Sequence, residues 1–177
     1  MSQVENLDFV HLHVHSEYSL VDGIIRVNEL VDQSLSLGYH SVALTDLTNL
    51  FGLIEFYRSA RKQGIKPIVG AEVYVTKDKD SIAAPLVLLA QNKQGYINLT
   101  KLVSKAYVDG QVNGDPVVLF SWLEEFSDGI IALSGGLEGH IGSSILAGND
   151  QLSESRVDFF QNIFGEDFFI EIQRTGK

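Results

Sequence analysis

Two kinds of apolar stretch alternate along the chain. Short, nearly continuous runs at 9–15, 41–45, 67–75, 86–90, 130–133 and 168–172 predict six strands, with 86–90 and 130–133 reading as buried on both faces. Between them, apolar residues recur at helical spacing. Val27, Leu30, Val31 and Leu35, interleaved with Asn28, Glu29, Asp32 and Gln33, predict a first helix that stops at Gly38. Leu50, Leu53, Ile54, Tyr57 and Ala60 predict a second helix ending near Gly64, and further helices are expected over 94–107, 122–126 and 156–164. The stretch 108–116 (VDGQVNGDP) reads as a surface loop, and Ser134-Gly135-Gly136 closes the fifth strand. Such strand–helix alternation predicts right-handed βαβ units around a parallel sheet, an α/β fold. The chain stops just after its last predicted strand with no helix to cover it, so it is expected to be a piece of a longer protein.

The strongest local chemical signal is His11-Leu12-His13-Val14-His15. On a strand, alternate side chains share a face, so His11, His13 and His15 are expected to point the same way. Two imidazoles at i and i+2 suit a first-row divalent metal, although alternating His can also just fill a polar strand end. Three carboxylates then fall where a parallel α/β fold would gather them, at the carboxyl ends of strands. These are Asp22 in Val21-Asp22-Gly23, Asp46 in Leu44-Thr45-Asp46, and Glu72 in Val69-Gly70-Ala71-Glu72. Each has a plainer reading: a turn residue, a helix N-cap and a solvated strand residue. Their joint placement with the His pair favours a metal centre.

Composition narrows the classes. The 177 residues carry 13 Lys+Arg and 23 Asp+Glu, a formal charge of −10, and contain no Cys. Without Cys there is no disulfide framework, thiolate metal site or thiol nucleophile, and a reducing compartment, the cytoplasm, is expected. The opening MSQVENLDFV lacks the basic and apolar regions of a signal peptide. No apolar run approaches the ~18 residues of a membrane span. A segment this acidic is not itself a nucleic-acid clamp, because duplex binding is dominated by Lys and Arg on phosphates.

Several motifs in order carry a resemblance: HLHVHSEYSLVDG, ALTDLTNLFGLIEFY, GIKPIVGAEVYV, LVLLAQNKQGYINLTKLVSKAY and GIIALSGGLEGHIG. From about Phe9 to Gly176 the chain resembles the PHP (polymerase and histidinol phosphatase) domain at the amino terminus of the bacterial DNA polymerase III alpha-subunit family, in its gammaproteobacterial form. The resemblance implies a distorted (β/α)7 barrel, truncated here before its last strand or strands, and a single PHP domain over 1–177. It implies metal ligands at the strand ends. Family members with an intact site hold up to three ions that activate water for phosphoester hydrolysis. Carried over by motif, His13 and His15 match the first ligand pair, and Asp22, Asp46 and Glu72 match carboxylate positions.

The departures from the family pattern are at least as informative. Thr-Asp-His-Gly reads Thr45-Asp46-Leu47-Thr48, the His that opens the fourth strand is Pro85, and Ser-Gly-Cys reads Ser134-Gly135-Gly136. Leu47, Pro85 and Gly136 offer no side-chain donor, so a three-ion site cannot be completed. The family's last ligands, an Asp-x-His, would lie beyond Lys177. His140, in a Gly-rich stretch, is not expected to compensate. The resemblance therefore implies the PHP region of a replicative polymerase subunit with a degraded metal site, acting in DNA replication as a structural and docking element. Its implied partners are the rest of the alpha subunit, the proofreading exonuclease subunit and the replicase holoenzyme, with DNA met only through the parent chain. No catalytic residue and no cofactor are expected in the segment itself beyond a residual Zn or Mn ion. Nucleotidyl transfer, with Mg, belongs to the parent DNA-directed DNA polymerase. The competing reading is an active metal-dependent phosphoesterase or 3′–5′ proofreading exonuclease.

Overall fold

The computed structural model describes residues 9–20 and 22–174. In chain order the elements are α1 (Val27–Ser36), β1 (Ser41–Leu44), α2 (Leu53–Gln63), β2 (Lys66–Thr76), β3 (Ala84–Ala90), α3 (Lys93–Asp109), β4 (Gln111–Val112), β5 (Asp115–Leu119), α4 (Phe120–Phe126), β6 (Ile130–Leu133), α5 (His140–Leu146), α6 (Asp150–Phe164) and β7 (Phe168–Phe169). The strands form one mixed sheet in the order β4-β5-β2-β3-β6-β7, and β1 also pairs with β2. This is an α/β fold, as the periodicity predicts, but the sheet is not all parallel.

The long strand β2 organises the sheet. Its first half pairs in parallel with β1, from Ser41 against Lys66 to Leu44 against Val69, with α2 as the crossover. Its second half pairs antiparallel with β3 on one edge and parallel with β5 on the other. The antiparallel pair β2–β3 corrects the all-parallel expectation. Only residues 77–83 join them, and a parallel return needs a crossover of a dozen residues or more. The expected loop 108–116 is instead the β4–β5 hairpin. Its turn is Asn113-Gly114, with φ of 54° and 96°, the left-handed pair of a tight hairpin and a signal the loop assignment overlooked. Around β6 and β7, which are parallel, α5 and α6 make the crossover; α5 falls where only loop is expected, and α6 starts six residues earlier than predicted.

Residues 9–15 are extended but form no regular strand. Ala43 N donates to His11 O and Thr45 N donates to Val14 O, both at 2.9 Å. Two residues of the β1 side thus oppose three of this segment, a bulge-like mismatch that breaks alternation between His11 and His13.

The core has two main bodies. One lies between the sheet and α3, α4 and α6, and includes Leu86, Leu88, Leu99, Leu102, Leu123, Ile130 and Phe160. The other joins α1, α2 and β1 through Val27, Val31, Val42, Phe56 and Ala60, with Val14 and Tyr18 packed against it. This second body supports the His-bearing segment from below. Phe56 is fully buried there. Phe56→Ala is expected to cost about 3–5 kcal/mol, read as a lowered urea midpoint at unchanged slope. A loss below about 1 kcal/mol would mean that this body does not carry the segment.

Candidate metal centre

The group is assembled from three places in the chain. The extended 9–15 segment supplies His13 and His15, whose ring centroids are 5.3 Å apart. The middle of β2 supplies Glu72. His13 Nε2 lies 3.2 Å from Glu72 Oε2 and His15 Nε2 lies 2.6 Å from the same oxygen. Each residue can offer one ligand atom such that all three lie within 4.8 Å of one another. Behind the imidazoles stand two more carboxylates: Glu171 Oε1 is 2.8 Å from His13 Nδ1, and Asp22 Oδ2 is 2.8 Å from His15 Nδ1.

The other expected residues fall differently. His11 stacks edge-on against Phe9 and Tyr39, away from the pair, as the bulge-like register requires. Asp46 is buried and lies outside the three-residue group. Its oxygens accept from Ser16 N at 2.6 Å, Ser16 Oγ at 2.8 Å and Ser19 Oγ at 2.7 Å, so it holds the short 3-10 turn Glu17–Ser19. Asp22 follows that turn and is beside His15 at its outer nitrogen; its neighbour Val21 lies outside the described residues. Gly23 lets the loop return, since a Cβ there would sit 1.7 Å from Ser16 O. Leu47, Pro85 and Gly136 contribute no donor side chain. His140 opens α5, bonds Val75 O at 2.8 Å and packs on Phe120, outside the three-residue group. Glu171 is the residue the sequence reading missed. It follows β7 by two residues, and its only signal was a charge between Ile170 and Ile172 in a run otherwise read as strand.

Electrostatics follow from burial and pairing. Burial pulls the His13 pKa down, but hydrogen bonds and charge from Glu171 and Glu72 outweigh it and raise it to about 9. His15 is likewise raised, with burial opposing and Glu72 the main support. Burial pushes Glu72 up, and the two imidazoles overcome it and lower its pKa to about 2. Without metal, His13 and Glu72 thus form an ion pair at neutral pH. The residues also fit a divalent ion. His15 Nε2 is buried and close to Glu72 but out of line for a hydrogen bond, and it has no hydrogen-bond partner among the described residues. Two imidazole nitrogens and a carboxylate are ligands for Zn or Mn.

An α/β sheet with an HxH pair and a strand carboxylate converging in this way is the layout of a PHP domain. The chain belongs to that family, whose model matches residues 11–175. Its relatives are DNA polymerase III alpha subunits. It is 44% identical to the one from Vibrio cholerae over 171 residues, covering 96% of this chain and 15% of that protein. The Escherichia coli K12 subunit matches at 44% with the same coverage, and that of Pseudomonas aeruginosa at 41% over 97% of this chain and 15% of that protein. The chain thus spans about 15% of the length of the curated relatives it matches. Among solved structures, a two-domain protein from Bacteroides vulgatus containing a predicted PHP-like metal-dependent phosphoesterase is similar at a TM-score of 0.48 and 15% identity, over 77% of this chain and 36% of that one. No helix among the described residues is long and apolar enough to cross a membrane.

The raised and lowered pKa values predict a pH profile for the metal-free chain. His13 binds its proton more tightly when folded, so its contribution is complete below about 6.5 and is lost as pH rises through about 9. Glu72 contributes above about 4.5 and loses its contribution as pH falls toward about 2. Urea unfolding in chelator should show stability declining between pH 6.5 and 9.5, with a flatter decline in His13→Ala. Identical profiles would show that His13 is not charged in the folded state.

Proposed function

We propose that this chain is the PHP region of a replicative DNA polymerase alpha subunit, with a metal site reduced to a single ion and a structural, partner-docking role. The observation that carries this reading is the donor count. Three ligand positions implied by the family resemblance are Leu47, Pro85 and Gly136, while His13, His15 and Glu72 remain as one group. That group has donors for one Zn or Mn ion and none for a second or third. The expected metal content of the full-length chain, purified without chelator, is at most one ion per chain, lost in His13→Ala, His15→Ala. Two or more ions per chain would overturn the reduced-site reading.

The assembled group favours one competing reading, a metal-dependent phosphoesterase or proofreading exonuclease. A bound ion would supply an activated water and a clamp for phosphate. The same full-length chain, saturated with Mn or Zn, is expected to release no phosphate or nucleotide above the His13→Ala, His15→Ala background. Turnover lost with those two imidazoles would replace the scaffold reading by this one.

Partner docking is supported by apolar side chains left in solvent around one corner. Leu20 and Ile24 are 85% and 94% exposed, and Phe51, just before α2, and Ile54, in its first turn, are exposed as well. Hydrogen bonds from Asn49 to Tyr18 O and from Tyr18 to Glu55 tie the two segments together. Exposed apolar surface of this kind marks protein interfaces. The occupant we propose is the proofreading exonuclease subunit of the replicase. Phe51→Asp with Ile54→Asp in the full-length chain should weaken its association at least tenfold, measured by titration calorimetry, and unchanged affinity would move the docking face elsewhere.

A further inference from the structure

Glu171 lies outside the three-residue metal group, yet it is fixed from both its backbone and its side chain. Its backbone N donates to Ser134 Oγ at 3.0 Å, and the segment before it continues the β6–β7 ladder through Ser134 N to Phe169 O at 3.0 Å. Its side chain accepts from Gln173 Nε2 at 2.9 Å through the same Oε1 that meets His13 Nδ1 at 2.8 Å. Gln173 in turn lies over Gly136. A Cβ at Gly136 would come within 2.8 Å of the Gln173 amide carbon, and Gly136 has φ of 61°. The segment Ser134-Gly135-Gly136 therefore grips residues 171–173 at both ends: a hydroxyl binds the Glu171 backbone, and a missing side chain leaves room for the Gln173 amide.

An imidazole presents one nitrogen to a metal only when the other is held, and a carboxylate on the second N–H fixes tautomer and ring orientation. His15 has Asp22 in that place. His13 has Glu171, whose oxygen is nearer to Nδ1 than the Gln173 amide, at 2.8 Å against 3.4 Å. We infer that Glu171 is the positioning residue for His13, donating nothing to the ion itself, and that Gln173 seated over Gly136 is the clamp that keeps it there. The last described segment of the chain thereby completes a site begun at residue 13. The inference rests on the reading that His13, His15 and Glu72 bind a divalent ion.

The test titrates the full-length, metal-free chain with Co2+ and follows both affinity and the visible d–d spectrum of the bound ion. Wild type should bind, and His13→Ala should not. Glu171→Ala should weaken binding roughly tenfold to a hundredfold, the range for lost outer partners, and should change the spectrum because His13 is free to turn. Glu171→Gln, whose amide oxygen still accepts from Nδ1–H, should recover most of the affinity and the wild-type spectrum, a rescue that mere packing would not predict. Gly136→Leu, which evicts Gln173, should weaken binding with Glu171 still present. Thermal melts of each variant at the wild-type midpoint exclude misfolding, and Glu171→Leu, of similar bulk and without an acceptor, carries the same expected loss if Glu171→Ala does not fold. Wild-type affinity and spectrum in Glu171→Ala, with His13→Ala inactive in binding, would overturn this inference alone. No Co2+ binding by wild type would overturn it together with the metal reading.

Discussion

A carboxylate buried in the middle of a sheet must be paired or neutralised, and the way Glu72 is paired sets the geometry of everything around it. Its side chain meets both imidazoles, and its backbone reaches the other way. Thr48 N donates to Glu72 O at 2.7 Å, and Glu72 N approaches Thr45 O and Asp46 O at 3.2 Å. The 45–48 turn is thus attached to β2 at this one residue. That turn carries Asp46, Asp46 holds Ser16 and Ser19, and Glu17 N closes the loop on Ile25 O at 2.8 Å. The whole amino-terminal loop, with His15 and Asp22 on it, is supported through one position of the central strand.

This dependence separates the residues of the group from their neighbours. Removing one partner of a buried ion pair leaves an uncompensated charge, at a penalty of about 3–5 kcal/mol. His13 and His15 each pair with Glu72, so Glu72 holds the group together in the absence of an ion. Leu47 stands outside that network, and its backbone N is already satisfied by Ser19 Oγ at 3.0 Å. An apolar side chain there leaves no buried charge unpaired. Gly136 likewise leaves nothing unpaired, because the Gln173 amide occupies the space. Proton and metal compete for the same imidazole nitrogens, so an ion entering this group must displace the protons that hold it together in its absence.

Much of this was legible in the sequence because it is local. The helices at 27–36, 53–63 and 93–109 follow the 3.6-residue spacing, and β1, β2, β3 and β6 follow their apolar runs. The rule that strand ends converge nominated His13, His15, Asp22, Asp46 and Glu72 together, of which the structure groups His13, His15 and Glu72. What could not be read was non-local or depended on register. Strand direction in β2–β3 follows from a short connection rather than from any residue in the strands. The separation of His11 from His13 depends on how 9–15 sits against β1, a one-residue mismatch that no periodicity contains. Asp46 looks the same in sequence whether it faces a metal or three hydroxyl and amide donors.

Glu171 is the extreme case, because its partner His13 is 158 residues away. Contacts of that separation form only after the intervening elements are in place, since each closes a long loop at an entropic cost. β7 contributes only two ladder residues, Phe168 and Phe169, and the segment beyond it is fastened chiefly through Ser134 and the His13 carboxylate contact. Phe168 also packs on the main core, stacked against Phe160 at 5.4 Å. The first imidazole has its orientation set by a carboxylate distant in sequence but largely buried, whereas His15 is oriented by Asp22, seven residues away and mostly exposed. The two halves of the pair differ in how firmly they are held.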